Sequence, residues 1–338
     1  MTHNDKICLS NYGYRILHIE SNASCNMECS FCPYPLKDDK ISKLNLEEIK
    51  RILNQIDQND KEFQYVTFSQ FNEPLLDNRI FEIIKYAKNI GLKVLIITNG
   101  LLLNKEKNID SILKLKPDIK ISLQVLDSAK HKHTRGLNLE LENYVKTIVN
   151  FCKKVKNQKI NVTIDIGSNY NNNKFYFILR KILGLQTGDP SIPVDVNTSI
   201  NQLKECLKYF YNIADKEYTD KLSSLSKKHE ISDIFNSKKI GDVNKYYNSQ
   251  EGFKIFKNVT IKSKHFMYGR RINDFKPLKE FSCNSDRLGI LADGNVVPCC
   301  LAYDDSISLG KIYNNSLKKI LHQNEFLKNL RTKQGKKH

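Results

Sequence analysis

Tyr14-Arg15-Ile16-Leu17-His18-Ile19-Glu20 is an apolar, strand-like segment, and Cys25, Cys29 and Cys32 follow it with the spacing C-x-x-x-C-x-x-C. Thiolates from so short a loop can bind three corners of a cubane iron–sulfur cluster. Because the loop supplies three cysteines, the fourth iron keeps an open coordination position for a substrate or cofactor. The sequence therefore predicts a redox-active metal loop directly after the first strand.

The cysteine spacing resembles that of the radical S-adenosylmethionine (radical SAM) superfamily, in which an aromatic residue precedes the third cysteine, as Phe31 precedes Cys32 here. The resemblance implies that the three cysteines hold a 4Fe–4S cluster whose open iron chelates SAM. A structural zinc knuckle is the alternative. Zinc sites favour paired C-x-x-C units that give four ligands, however, and this loop offers one triplet.

Length and composition indicate an enzyme-sized globular protein. The 338 residues, 40% of them hydrophobic, are enough for one barrel-sized domain and a smaller appendage. The N-terminus lacks a secretory apolar region, and no apolar run approaches the ~20 residues that span a bilayer, so we expect a cytoplasmic protein without a membrane segment. Six of the nine cysteines fall in two tight clusters, which favours metal binding over disulfides.

The formal charge of +17 raises the question of nucleic acid. The lysines are scattered and form no stripe with interleaved aromatic residues, so a nucleic-acid partner is not expected. An RNA-modifying radical enzyme stays as an alternative that a basic groove would support. A positive surface also attracts an acidic substrate or a reducing partner of the flavodoxin or ferredoxin type.

Apolar strands alternate with amphipathic helices along the first half of the chain. The predicted helices start at Asn45, Arg79 and Glu140, and the predicted strands after the first cover residues 64–69, 93–97, 118–124, 159–166 and 259–262. This alternation predicts an α/β protein with parallel βα units, whose functional loops lie at the C-terminal ends of the strands. The resemblance implies a partial (βα)6 radical SAM barrel with a small C-terminal hairpin and helix extension.

The composition divides the chain further. We predict an N-terminal extension (1–13), the core barrel (14–170), a helical insertion of unknown role (171–256), a last barrel strand and linker (257–280), a cluster-binding domain (281–330) and a basic tail (331–338). Within the insertion, residues 200–214 and 218–228 have helical patterns. Since no separate leader-peptide domain precedes the first strand, a ribosomal-peptide substrate is disfavoured.

The segment at Asn72-Glu73-Pro74 resembles the Gly-Gly-Glu-Pro segment that holds the amino group of SAM in this superfamily. Gln70 and Asn72 stand where many members carry glycine, and asparagine tolerates positive φ better than other non-glycine residues. The resemblance implies that Asn72 and Glu73 contact SAM. Alternatively, the Glu73 carboxylate caps the helix that starts after Pro74.

Three further segments resemble SAM-binding positions of the superfamily. Thr98 and Asn99 precede a glycine after the third strand, Ser122 lies on the fourth strand, and Arg135 follows it. A planar, permanently charged guanidinium suits a carboxylate, which favours Arg135 as a SAM ligand. The alternative is a surface arginine before a glycine turn.

Cys283, Gly294 and the pair Cys299-Cys300 resemble the opening of SPASM and twitch extensions, which hold auxiliary iron–sulfur clusters. No cysteine follows Cys300, so we expect one auxiliary cluster on these three cysteines. Its fourth position is open, filled by another residue type, or completed by one of two isolated cysteines, Cys8 and Cys206. The alternative is a degenerate domain that has lost its cluster. Cys152, on the apolar face of a predicted helix, is expected in the core.

The resemblance implies an enzyme that cleaves SAM reductively to a 5'-deoxyadenosyl radical, which abstracts hydrogen from a small molecule or peptide for oxidation or linkage. Cys25, Cys29 and Cys32 are the predicted catalytic residues. A ribosomal-peptide or enzyme maturase is the first alternative. An iron–sulfur electron-transfer or binding protein that never cleaves SAM is the second.

Overall fold

The computed structural model describes residues 6–29, 32–124, 135–136, 140–168, 253–265, 286–300, 302–313 and 315–324. The chain divides into two compact units: residues 1–28, 32–98 and 269–338 form the first unit, and residues 29–31 and 99–268 form the second unit.

The described strands are, in chain order, β1 (Ile16–Ile19), β2 (Tyr65–Thr67), β3 (Val94–Thr98), β4 (Asp118–Gln124), β5 (Val162–Ser168), β6 (Phe253–Phe256), β7 (Val259–His265), β8 (Arg287–Ile290), β9 (Asn295–Val297) and β10 (Gly310–Lys311). The described α-helices are α1 (Leu46–Asn54), α2 (Ile80–Asn89), α3 (Glu106–Leu115), α4 (Leu141–Val155) and α5 (Leu317–Gln323). Among these helices, none combines the length and the apolar character that a bilayer crossing requires.

In the first unit the strand order is β10-β9-β8-β1-β2-β3. β1 lies between β2 and β8 and is parallel to both. All four residues of β1 are buried, as expected for a parallel strand that is covered on both faces. The C-terminal hairpin of β8 and β9 therefore continues the sheet that carries the cysteine loop.

Helix α1 shows how local sequence sets the elements of the first unit. The Asn45 side chain accepts a 2.7 Å hydrogen bond from the Glu48 backbone N–H and so caps the helix N-terminus. Ile49, Ile52 and Leu53 recur at helical spacing and are fully buried. The apolar stripe of α1 thus determines which face packs into the core.

In the second unit the strand order is β4-β5-β7-β6, with β4, β5 and β7 parallel and β6 antiparallel to β7. Along β4, Ile119, Ile121 and Leu123 are buried, whereas the residues between them are partly exposed. Helix α4 buries Ile148 and Cys152. This alternation gives the sheet one apolar face and one polar face.

The α/β class, the parallel βα order and the predicted strands are confirmed, including the last strand, here β7. The predicted C-terminal hairpin is also confirmed, formed by β8 and β9 with Gly294 at φ +85° in the turn between them. Helix α3, the short strand β6 and the parallel pairing of β8 with β1 were not predicted. Most of the predicted insertion, with both helical patterns, lies outside the described residues, and the domain boundaries stay a prediction.

Candidate functional site

The cysteine loop starts where β1 ends and is fastened to a returning segment. The backbone of Asn22 pairs with Lys43, and the Ala23 N–H donates to the Ser42 carbonyl at 2.8 Å. The Ser24 hydroxyl donates to the Lys40 carbonyl at 3.1 Å. These bonds hold the chain just before Cys25 by main-chain contacts.

None of the three cysteines of the loop forms a disulfide. Cys25 and Cys32 are partly exposed, and Cys29 is buried. The Tyr34 N–H donates to the Cys32 sulfur at 3.4 Å, a contact that favours the thiolate. Phe31 lies outside the described residues.

Burial raises the pKa of the Cys29 thiol, while the positive charge of Arg135 opposes this and lowers it. Among the residues that the structure describes, no three His, Cys, Asp or Glu side chains are grouped closely enough to hold a metal ion. The loop suits an iron–sulfur cluster in two respects. Its three cysteines supply reduced thiols as donors, and these cysteines are closely spaced along the chain. Metal binding would release the thiol protons.

Glu73 is joined to the cysteine loop and to the end of β3. Its backbone N–H donates to the Ser24 carbonyl at 2.9 Å. Its buried carboxylate accepts a 2.8 Å hydrogen bond from the Thr98 hydroxyl and a 3.1 Å hydrogen bond from the Leu75 N–H. The structure thus brings two predicted SAM contacts together, and it shows that the carboxylate also caps the turn after Pro74.

Asn72 uses its side chain to hold the same loop. Its amide nitrogen donates to the Asn22 side chain at 2.8 Å and to the Phe68 carbonyl at 3.1 Å, and its amide oxygen accepts from the Gln70 N–H at 2.9 Å. Among the described non-glycine residues, positive φ occurs at Lys116, Gln124 and Asn157. The loop therefore replaces the glycines of related segments without positive φ at Asn72.

In the second unit, Tyr144 contacts Asn99 and Ser122, and Arg135 contacts Ser122. The Tyr144 hydroxyl donates to the Asn99 carbonyl and, at 3.5 Å, to the Ser122 carbonyl. The buried Arg135 guanidinium donates to the same Ser122 carbonyl at 3.0 Å. Arg135 is therefore not a surface arginine. The role of Tyr144 was missed, and its place on an apolar helix face gave no signal for it.

Glu20 is the functional candidate that sequence reasoning missed in the first unit. It is fully buried and accepts hydrogen bonds from Lys37 Nζ at 2.6 Å, the Ala292 N–H at 3.0 Å and the Phe71 N–H at 3.3 Å. The Lys37 side chain is 7% exposed, so this is a buried ion pair. A charged residue at the end of an apolar strand was the available signal.

Gln70 makes a second link to the C-terminal segment. Its amide nitrogen donates to the Ala302 carbonyl at 2.8 Å and approaches the Cys299 carbonyl at 3.5 Å. Gly289 leaves room for this side chain, because a Cβ atom there would lie 2.3 Å from the Gln70 amide oxygen. The loop after β2 is thereby tied to the cysteine pair of the hairpin.

The remaining cysteines differ in their surroundings. Cys299 and Cys300 are partly exposed and form no disulfide, whereas Cys283 and Cys206 lie outside the described residues. Cys152 is fully buried, as a core residue should be. The Cys8 thiol donates to the Asp57 carboxylate at 3.3 Å, and burial together with this carboxylate raises the pKa of Cys8 to about 11. Such a thiol gives up its proton to a metal less readily.

Comparison with known protein families agrees with these features. The family model of the radical SAM superfamily matches residues 19–182. A second model, described as an iron–sulfur cluster-binding domain, matches residues 283–338. The two matches include both cysteine clusters.

Three curated proteins illustrate the relatives of this chain. A probable GTP 3',8-cyclase from Pyrococcus horikoshii is 24% identical over 307 residues, which cover 89% of this chain and 88% of that protein. An uncharacterized protein from Methanocaldococcus jannaschii is 29% identical over 136 residues, 40% of this chain and 41% of that protein. A tungsten-containing aldehyde ferredoxin oxidoreductase cofactor-modifying protein from Pyrococcus furiosus is 23% identical over 155 residues, 45% of this chain and 43% of that protein. The chain thus spans less than half the length of two of them.

Solved structures share the fold. SuiB from Streptococcus suis bound to S-adenosylmethionine is 14% identical with a TM-score of 0.55, over 96% of this chain and 70% of that chain. SuiB bound to its precursor peptide SuiA is 15% identical with a TM-score of 0.56, over 96% and 69% of the two chains. The protein anSMEcpe with bound AdoMet is 16% identical with a TM-score of 0.52, over 94% and 82%. At such identities the similarity shows the fold alone, and it agrees with the predicted architecture.

Proposed function

Because the radical SAM superfamily model matches residues 19–182 and an iron–sulfur cluster-binding domain model matches residues 283–338, we propose that the chain is an enzyme that cleaves SAM reductively. The product radical abstracts hydrogen from a small-molecule or peptide substrate. The observation that carries the proposal is the superfamily match over residues 19–182, which contains the C-x-x-x-C-x-x-C loop.

The superfamily match implies a 4Fe–4S cluster and SAM as cofactors, and the match of the C-terminal domain implies auxiliary iron–sulfur chemistry. When bound, the cluster supplies the electron that cleaves SAM to methionine and a 5'-deoxyadenosyl radical. Cys25, Cys29 and Cys32 would hold this cluster by their thiolates. Cys283, Cys299 and Cys300 would hold one auxiliary cluster.

The proposed SAM contacts in the first unit are Asn72, Glu73 and Thr98. The Thr98 hydroxyl and the Leu75 N–H orient the Glu73 carboxylate, which is buried and negatively charged and so suits the SAM ammonium group. Asn72 fastens this loop to Asn22, at the start of the cysteine loop. The loop is thus oriented before any ligand arrives, which lowers the entropy cost of binding.

The proposed contacts in the second unit are Asn99, Ser122 and Arg135. Tyr144 and Arg135 both donate to the Ser122 carbonyl, so the strand end and the guanidinium are held together. A buried, permanently charged guanidinium suits the SAM carboxylate. Burial also limits the access of water to a reactive radical.

The substrate class is proposed from the relatives in fold and in sequence. SuiB was crystallised with a precursor peptide, and a cyclase relative is named for GTP. We propose a small molecule or peptide, a flavodoxin- or ferredoxin-type electron donor drawn by the +17 charge, and a cytoplasmic location. A maturase for a ribosomal peptide or an enzyme is the second candidate. SuiB, which shares the fold, was solved with a bound precursor peptide, and this favours the candidate.

The test is anaerobic reconstitution with iron and sulfide, followed by reduction with dithionite and quantification of 5'-deoxyadenosine by mass spectrometry. We expect SAM-dependent product from the wild type and none from a variant with alanine at Cys25, Cys29 and Cys32. Cys152→Ala is the matched control, because it removes a buried thiol of the core. A triple variant that still forms the product, or wild-type protein that binds iron but leaves SAM intact, would contradict the proposal. The second result would favour an electron-transfer or binding protein.

A further inference from the structure

One face of the β4-β5-β7 sheet carries an ordered array of polar side chains. Two rows run across the three strands in register: Lys120, Thr163 and Thr260 form one row, and Ser122, Asp165 and Lys262 form the other. Because side chains alternate along each strand, all six lie on the same face. We call these six residues the polar platform.

The opposite face of the same sheet is apolar and covered. Ile119, Ile121, Ile164 and Ile261 are at most 1% exposed. A Cβ atom at Gly100 would lie 3.1 Å from Ile121 and 3.4 Å from Ile148 of α4, so α4 packs on this apolar face. The polar platform therefore faces away from α4.

A polar face of this kind is unusual for parallel strands. Parallel sheets are covered on both faces and consist of nearly continuous apolar runs, and the interiors of barrels are filled by branched aliphatic side chains. Here the equivalent positions carry two lysines, one aspartate and three hydroxyl groups. Such side chains cannot form a dry core without cost, because a buried polar group needs a partner. The pattern is that of a surface built for a polar ligand.

The exposure of the charged residues supports this interpretation. The Asp165 side chain is 4% exposed and its carboxylate lies 3.9 Å from Lys120 Nζ, while the Lys120 side chain is 26% exposed. Lys262 is directly opposite Asp165 in the register and is also partly exposed. The aspartate is thus enclosed and neutralised by the protein, and the lysines remain accessible to a ligand.

From this array we infer that the polar platform binds the substrate through an anionic group, a carboxylate or a phosphate, that carries a hydroxyl group nearby. Lys120 and Lys262 hold the anion, and the platform has a formal charge of +1 because it holds two lysines and one aspartate. The hydroxyl groups of Ser122, Thr163 and Thr260 bond the neighbouring group. The inference rests on the proposed function, because it deepens the substrate class of that enzyme.

The platform is continuous with a proposed cofactor contact. Ser122 belongs to its second row, and the Ser122 carbonyl accepts the hydrogen bonds of Arg135 and Tyr144. A ligand on the platform would therefore lie beside a residue that we propose to contact SAM. Lys120 and Lys262 act as substrate-binding residues, without any part in the cleavage of SAM itself.

The experiment uses the full chain with reconstituted clusters and SAM, and three related probes: glycerol 3-phosphate, glycerate and glycerol. Nuclear magnetic resonance titration gives the dissociation constant of each. We expect both anions to bind and neutral glycerol to bind at least about tenfold more weakly, since charge-assisted hydrogen bonds are the strong ones. The ratio between the two anions tells a phosphate site from a carboxylate site.

Variants tie the binding to the platform. A double variant, Lys120→Met with Lys262→Met, should weaken the binding of both anions about tenfold or more. Should it fail to fold, Lys120→Gln and Lys262→Gln are tested singly, each with an expected loss of about threefold or more. Lys153→Met is the matched control, because it removes one exposed lysine from helix α4. Its anion binding should equal that of the wild type.

The outcomes separate this inference from the proposed function. Equal binding of the three probes, or anion binding that survives the lysine variants, overturns the inference even where the wild type forms 5'-deoxyadenosine. Lysine-dependent anion binding by a protein that leaves SAM intact supports the platform and overturns the proposed enzyme. Lysine-dependent binding together with SAM cleavage supports both.

Discussion

Polar side chains of the two units are used in opposite ways. At the end of β1, Glu20 is wholly buried and accepts three hydrogen bonds from the protein itself. On the polar platform of the second unit, Lys262 lies opposite the buried Asp165 in the register and Lys120 Nζ lies 3.9 Å from the Asp165 carboxylate, and both lysines stay partly exposed. Polar groups of the first kind therefore position loops, and those of the second kind are available to a ligand.

The largest loss of stability is expected from Glu20→Ala, which removes the acceptor of the hydrogen bonds from Lys37, Phe71 and Ala292. The change leaves the Lys37 ammonium in a buried place without its carboxylate, and it removes the acceptor of two backbone N–H groups. Loss of one partner from a buried pair costs about 3–5 kcal/mol of folding free energy. Urea denaturation of the wild type and the variant measures this difference.

A surface pair provides the control for that prediction. Arg15 and Glu62 lie 3.5 Å apart with side chains that are 49% and 66% exposed. Glu62→Ala should cost about 1 kcal/mol or less, because exposed ion pairs contribute little. Equal losses of folding free energy in Glu20→Ala and Glu62→Ala would contradict the interpretation that Glu20, through its hydrogen bond with Ala292, connects the start of the cysteine loop to the C-terminal hairpin.

The second prediction concerns the apolar face of the second unit. Gly100→Ala places a side chain at φ +84° and brings its Cβ atom to 3.1 Å from Ile121. The backbone conformation and the overpacking together cost about 2–4 kcal/mol. Thermal or urea unfolding measures this loss.

Gly91→Ala is the matched variant, because Gly91 has φ +88° and a Cβ atom there would meet its nearest neighbour, Gln58, at 3.7 Å. It should cost about 1–2 kcal/mol, the conformational part alone. If both alanine variants were equally stable, α4 would not pack against β4 as tightly as described.

Local patterns predicted much of this architecture. The strands carry apolar runs, α1 has buried residues at helical spacing, and the Gly294 turn has a residue suited to positive φ. The contacts of Glu20 were not predictable, because one acceptor oxygen bonds the backbone of Ala292, 272 positions away. Pairing of β8 with β1 is equally non-local. Helix α3 was overlooked although Ile109 and Ile112 have helical spacing.

Some residues of the candidate site were likewise predictable from the sequence, and others were not. Glu73 and Thr98 were selected from separate segments by resemblance, and the structure joins them by a hydrogen bond. The polar platform was not recognised, because Lys120 and Asp165 look like ordinary solvent-facing residues of alternating strands until the pairing of β4 with β5 brings their charged groups to 3.9 Å from each other. Register between distant strands leaves no mark in either segment alone.

A smaller effect is expected for Thr98→Val, which removes a hydrogen-bond donor from the buried Glu73 carboxylate. A hydrogen bond to a charged group contributes about 1.5–3 kcal/mol. Thr67→Val is the comparison, since the Thr67 hydroxyl shares a bond with the neutral Ser69 hydroxyl at 3.2 Å and should lose about 0.5–1.5 kcal/mol. Chemical denaturation measures the loss of folding free energy in both variants. A larger loss in Thr67→Val than in Thr98→Val would show that the hydrogen bond to the Glu73 carboxylate is not the stronger one.

The smallest effect concerns Cys8, a thiol held by the protein in the first unit. Burial and the Asp57 carboxylate raise its pKa from 9.0 to about 11. Since the folded pKa is raised, this interaction is fully present below pH 9.0 and is lost as the pH rises through about 11. Only the thiolate reacts with iodoacetamide, so labelling of the Cys8 peptide, followed by mass spectrometry, should reach half its maximal rate near pH 11.

In Asp57→Asn the half-point should fall toward pH 9.0, because the negative neighbour is gone while the burial remains. A half-point near pH 9.0 in the wild type would show that Cys8 is open to solvent, and it would return this residue to the candidates for the auxiliary cluster.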